Sequence, residues 1–204
     1  MSKTIRSMPA EALALFVVAF LAIQPVRAAT PGTPIRVVII GLVHDHALGL
    51  LSAMPHNASV QLVGIAEPDK ALAERYAQRF HLDPKLFSTD TATMLDQTHP
   101  DAALVYTSIV DHRKAIEAAA SRGIPSMVEK PLATNVEDAL AIRKVAREHH
   151  VQVLTNYETT WYASNAAAWQ DVTEGKLGDI RRVVVHDGHE GPKKSASAPN
   201  SSPG

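Results

Sequence analysis

Three short stretches hold the side chains that could do chemistry. The first is VVIIGLVHDHALG, Val37 to Gly49. A β-branched apolar run enters Gly41, as a buried strand enters a phosphate-binding turn. A helix N-terminus beyond such a turn offers free N–H groups and a favourable dipole to an anion. In the glycine-rich form of this turn the second glycine lets the backbone approach phosphate and the third lets helix and strand pack closely. Here Val43 and His46 stand in those places, with Leu42 and His44 between, so the loop alone is weak evidence. The second stretch is IAEPD, in which Glu67 closes an apolar run. An acidic residue there can accept hydrogen bonds from ribose hydroxyls and repel a 2′-phosphate, which favours NAD; Lys70 softens that preference, so NADP stays possible. The third is Glu129-Lys130-Pro131. A lysine at the end of a buried strand can bond a substrate hydroxyl or help to move a proton. Taken singly, Glu67 could be a solvated charge and Glu129-Lys130 a surface ion pair.

Other pairs tempt. His44 and His46 lie two apart, but with no settled third ligand they are a weak metal pair, and no metal site is assigned to them. His186 and His189 with Glu190 receive the same reading.

These residues need elements to position them, and the chain alternates strand and helix signals. Strands are expected at 35–40, 60–66, 102–106, 125–128, 152–155 and 180–186. Helices are expected at 47–53, 69–80, 91–97, 111–122, 134–149 and 160–174. Asp69 suits an N-cap. Thr134-Asn-Val-Glu137 reads as a capping box, and Gly123 as a helix stop. Such alternation predicts an α/β fold: a doubly wound, Rossmann-like parallel sheet with helices on both faces. In that fold ligands sit beyond the C-terminal strand ends, where all three stretches fall.

Composition narrows the classes. The chain has 204 residues, 46% hydrophobic and 20% charged, enough for one substantial core. A net charge of −1 gives no basic face for nucleic acid. There is no cysteine, so thiolate chemistry is excluded. Lys3 and Arg6, the apolar run 13–23, and Val26 and Ala28 before a cleavage point have the layout of a signal peptide. The run is too short for an ordinary membrane span. Export to a periplasm or outside the cell is therefore expected, with residues 1–28 removed, no stable membrane span left, and a linker at 29–34. Residues 192–204, rich in Ser, Ala and Pro, are expected to be disordered.

Together the stretches resemble the Gfo/Idh/MocA family (glucose–fructose oxidoreductase, inositol dehydrogenase and rhizopine catabolism). VVIIGLVHDHALG, VGIAEPDKALAERYAQRF and DAALVYTSIVDHRKAIEAAASRGIPSMVEKPLATN carry the resemblance. Thr107, His112, Gly123 and Glu129-Lys130-Pro131 fall on the family's T-x-x-x-x-H and E-K-P patterns. The resemblance implies an NAD(P)-binding Rossmann domain over 35–156, then an α+β substrate domain. It implies hydride transfer at a carbinol carbon of a sugar or cyclitol. Gly41, Leu42, Val43, His44 and His46 would line the pyrophosphate loop, and Glu67 would meet the ribose. Thr107 and His112 would border the nicotinamide. Glu129 and Lys130 would lie by the reacting carbon, Lys130 as the best catalytic candidate, with Asn156 and Tyr157 reaching the same crevice. Only the start of the second domain, 157–191, is expected, with its first strand at 180–186. An incomplete or frame-shifted chain is the corresponding expectation. A dinucleotide-binding module without turnover, or a non-catalytic fragment, is the alternative. A two-lobed sugar receptor fits poorly, because one lobe is all this stretch holds. Oligomeric state is left open.

Overall fold

The computed structural model describes residues 32–186. The chain divides into two units, 1–33 and 34–204. Of the first, only Gly32 and Thr33 are described, so the expected signal peptide lies outside the described residues, as does the expected tail at 192–204. Among the described residues no helix is long and apolar enough to cross a membrane.

In the second unit six parallel strands form one sheet in the order β3-β2-β1-β4-β5-β6. The strands are β1 (Ile35–Ile40), β2 (Val60–Ala66), β3 (Phe87–Ser88), β4 (Ala102–Val105), β5 (Ser126–Glu129) and β6 (Val153–Asn156). The helices are α1 (His46–Ala53), α2 (Lys70–Phe80), α3 (Thr91–Thr98), α4 (His112–Ala120), α5 (Val136–Glu148) and α6 (Ala163–Thr173). The strand order reverses between β1 and β4, which places a crevice above β1.

Within β1 the unbroken apolar run Val37–Ile40 follows from burial on both faces. Val38 and Ile40 join Ala66, Met94, Ala103, Ile116 and Ile142, a core roofed by α3, α4 and α5. Ile39 points the other way and packs with Leu42, Leu51, Ile65, Leu72 and Tyr76 under α1 and α2. Alternate residues of one strand thus anchor helices on opposite faces.

Three expectations change. Strand β3, two residues long, was not anticipated, because so short an element has no periodicity to read. The strand expected at 180–186 is absent: those residues carry no strand pairing, and Val183 and Val185 are exposed. Among the described residues no strand lies beside them to supply a ladder. The cap of α5 is Asn135, one residue after Thr134, and its Oδ1 accepts from the Asp138 amide at 2.7 Å. Its Nδ2 donates to the Asp138 carboxylate at 2.8 Å, so the acid that reaches back is Asp138 and not Glu137, and it bonds the cap's side chain where a capping box would bond its backbone N–H. Asp69 caps α2 as expected, accepting from the Ala71 and Leu72 amides.

Asn135→Ala is expected to lower stability by about 1 kcal/mol. Thr134→Ala should cost less than about 0.5 kcal/mol, as for a surface site. Urea denaturation of both variants checks the assignment.

Candidate functional site

Gly41 makes the turn that leaves β1. Its φ is +80°, in the left-handed region. A Cβ there would lie 2.6 Å from Thr107 Cγ2 and 2.8 Å from the Thr107 backbone. The position therefore excludes a side chain twice, by conformation and by space. Thr107 follows β4, so this contact sets how closely the β1 and β4 turns approach.

Glu67 ends β2 and is buried, 3% exposed. Its Oε2 accepts from the Leu42 amide at 2.8 Å and its Oε1 from the Asp69 amide at 2.9 Å. One carboxylate thus ties the β1 turn to the start of α2. Burial pushes its carboxyl above the ordinary value; the two amide bonds oppose this and are outweighed. Glu67 also borders a depression of about 340 Å³ with Lys70, Phe87, Ser88 and Thr89, beyond the ends of β2 and β3. Sequence reading gave Glu67 a role toward ribose. Its bond to the loop is a second role that sequence reading missed, since nothing in IAEPD points to the Leu42 amide.

The loop itself is tightly self-bonded. Gly41 N donates to Ala66 O, His44 N to Tyr106 O and His46 N to His44 Nδ1. With Leu42 N on Glu67, four amides of residues 41–46 point at protein acceptors. That leaves fewer N–H groups for phosphate than a glycine-rich loop would offer. Leu42 is buried in the core, whereas Val43 is half-exposed at the second glycine position.

Glu129 ends β5 and is 1% exposed. It sits in register with Asn156 at the end of β6. Asn156 Nδ2 donates to Glu129 Oε1 at 2.6 Å. Glu129 Oε2 lies 3.1 Å from His46 Nδ1 and 3.8 Å from His44 Nε2, and accepts from the Lys130 amide at 3.3 Å. The two imidazoles meet edge to face, centroids 4.6 Å apart. Burial is the main cause that lowers the His44 pKa below its ordinary value, Glu129 opposing it. Burial, followed by the charge of Glu129, pushes the Tyr106 phenol well up.

The structure therefore brings Gly41, Leu42, His44, His46, Glu129, Lys130 and Asn156 to one edge of the sheet. His112 is placed differently from the rest. It is fully buried, its Nδ1 donates to Leu132 O at 3.2 Å, and its Nε2 has no hydrogen-bond partner among the described residues. It holds the segment that follows Glu129-Lys130-Pro131. Tyr157, just past β6, is exposed. His186 is exposed, and His189 and Glu190 lie outside the described residues.

Comparison with known proteins agrees with this architecture. Residues 35–157 match the Gfo/Idh/MocA profile, described as an oxidoreductase family with an NAD-binding Rossmann fold. The chain belongs to the Gfo/Idh/MocA family. A myo-inositol dehydrogenase from Streptomyces leeuwenhoekii is 30% identical over 157 residues, which cover 72% of this chain and 43% of that protein. A scyllo-inositol 2-dehydrogenase (NAD(+)) from Bacillus subtilis is 26% identical, covering 71% of this chain and 42% of that protein. An Agrobacterium radiobacter oxidoreductase, solved with NAD+, L-tartaric acid and magnesium, superposes with a TM-score of 0.65 at 19% identity. That likeness covers 72% of this chain and 42% of the other and concerns the fold. The chain spans less than half the length of these curated relatives. As a Gfo/Idh/MocA domain it has the Rossmann sheet order, while its first loop departs from the glycine-rich form.

Two predictions follow from the turn geometry. Gly41→Ala should destabilise the fold by about 2–4 kcal/mol, from left-handed strain and overpacking against Thr107; thermal unfolding measures it. Glu67→Gln can accept from only one of the two amides and should cost about 1–3 kcal/mol. The folded pKa of Glu67 lies above its ordinary 4.5. Its contribution is thus complete below pH 4.5 and falls as pH rises through the folded value. The gap in urea midpoint between wild type and Glu67→Gln should be wider at pH 4 than at pH 7.

Proposed function

We propose that this chain is the dinucleotide-binding part of an exported NAD(P)-dependent oxidoreductase that transfers hydride at a carbinol carbon of a sugar or cyclitol. The observation that carries the reading is the Gly41 turn at the reversal of strand order, with Glu129 and Lys130 at the same edge of the sheet, at the end of β5. The residues fit a dinucleotide in part. Gly41 supplies the turn, and the mainly apolar depression beside it carries the polar side chains of Glu67, Lys70 and Ser88 on its border, where a ribose would need partners. A bound nicotinamide would supply or accept the hydride. Lys130 would bond the reacting hydroxyl and carry its proton, and Glu129 would hold the lysine end of the strand in place. Thr107 would stand at the nicotinamide side, and His112 would position the segment after Lys130. Buried Glu67 disfavours a 2′-phosphate, so NAD is the favoured form. Lys3, Arg6, the apolar run 13–23 and Ala28 support export.

A second reading is a module that binds dinucleotide without turnover. The two readings differ in one requirement: hydride transfer needs substrate held in register over the nicotinamide, whereas binding does not. Myo-inositol-dependent reduction of NAD by the purified chain would separate the two.

The deciding test is an NADH fluorescence titration. Glu67→Ala is a poor control, since it also releases the Leu42 amide. Val43→Asp is better, because Val43 is half-exposed and the new charge would repel pyrophosphate without touching the core. Saturable binding weakened at least about tenfold by Val43→Asp is expected, a difference of about 1.4 kcal/mol. No binding by the folded chain would leave the family membership as ancestry without cofactor function.

A further inference from the structure

We propose that His44, His46 and Glu129 form a binding site for one divalent transition-metal cation of the zinc type. The proposal goes beyond the dinucleotide reading and does not rest on it. The third donor that GLVHDH lacks comes from β5. Parallel strands put the β1 turn and the end of β5 on the same edge of the sheet, so the loop histidines reach Glu129. One donor atom from each of the three residues lies within 4.8 Å of the others. Glu129 Oε2 is 3.1 Å from His46 Nδ1 and 3.8 Å from His44 Nε2. Tetrahedral zinc with bonds of about 2.0–2.1 Å needs donors roughly 3.3 Å apart. The two carboxylate–imidazole distances bracket that spacing, and the two imidazole donors lie within 4.8 Å of each other.

The donor chemistry chooses the metal. Two imidazoles and one carboxylate suit zinc and its first-row neighbours, whereas magnesium and calcium prefer all-oxygen sets. Three protein donors leave a position open to water or a substrate oxygen, as in zinc sites that do chemistry. The surroundings match a held ligand. Asn156 fixes Glu129 Oε1 and leaves Oε2 turned to the rings, the outer hydrogen bonding that metal carboxylates commonly have. The His44 amide is anchored on the Tyr106 carbonyl, which fixes the loop. Glu129 is almost fully buried, and burying a carboxylate is costly unless it is paired. Among the described residues, the basic side chains within 4.0 Å of it are those two histidines. A divalent cation would balance that charge. Ligation through His44 Nε2 places the ring proton on Nδ1, so the contact from the His46 amide must open on loading.

The test is a titration of the metal-free full chain with Co2+, read by its visible ligand-field absorption, then displacement by Zn2+, with Mg2+ as control and no dinucleotide present. One equivalent of Co2+ displaced by Zn2+ and not by Mg2+ is expected. His44→Ala and His46→Ala concern half-buried side chains, and their folding is checked by circular dichroism. Each should weaken Zn2+ binding by more than about tenfold, and Asn156→Ala by about tenfold. Glu129→Gln should do the same; if it does not fold, the histidine variants decide. Absence of a Co2+ spectrum would overturn the proposal. So would Zn2+ binding unchanged in His44→Ala and His46→Ala, which would place the ion on surface histidines such as His149 and His150. Because NADH is absent, this outcome and that of the NADH titration are independent.

Discussion

The carboxylate of Glu67, bonded to two backbone amides from separate turns, is the constraint on which the crevice depends. It joins the Leu42 amide, just after β1, to the Asp69 amide, just before α2. These turns come from adjacent parallel strands and would otherwise be free to splay. A buried charge is costly unless hydrogen-bonded, and here each oxygen has a strong donor. Gly41, pressed on Thr107, performs the same task toward β4. The mouth above β1 is thus fixed from both sides by contacts that tolerate little substitution.

A second buried carboxylate organises the far side of the crevice. Glu129 is gripped by Asn156 on one oxygen and faces His46 and His44 with the other. The same loop is therefore tied by Glu67 at its start and by Glu129 at its end. This explains how a loop short of glycine can be well defined. Four of its backbone amides are given to protein acceptors, and its histidine rings face Glu129.

The edge at β6 is built differently. Leu154 on β6 is exposed, as are Trp169 and Val172 on α6 and the valines of 183–185. A depression of about 950 Å³ runs beside α5 and β6, lined by Leu132, Val136, Leu140, Ile142 and Val153. None of Glu67, Glu129 or Lys130 borders it, so this apolar ground is separate from the polar crevice. The division follows from the sheet: the polar groups gather at the C-terminal strand ends, while among the described residues β6 is an edge strand with one neighbour.

Much of this was legible in the residues. The apolar run 37–40, bounded by Gly41, reads as a strand buried on both faces, and the apolar spacing of 70–80 favours a helix. These are local signals, set by side-chain period and by turn chemistry. They were enough to specify the alternating order, the doubly wound class and the edge at which Gly41, Glu67 and Glu129 meet. What they could not specify was partnership. Glu67 reads from sequence as a group waiting for a ribose, and the fold gives both its oxygens to amides. His44 and His46 read as a pair without a third member, and the fold brings Glu129 to them. The run at 180–186 has the composition of a strand but, among the described residues, no neighbour to pair with. Composition and period decide what a segment can become, because they act within one helix turn or one pleat. Hydrogen-bond and ligand partners come from residues far apart in the chain, and only the packing of the strands brings them within about 3 Å, where such bonds form.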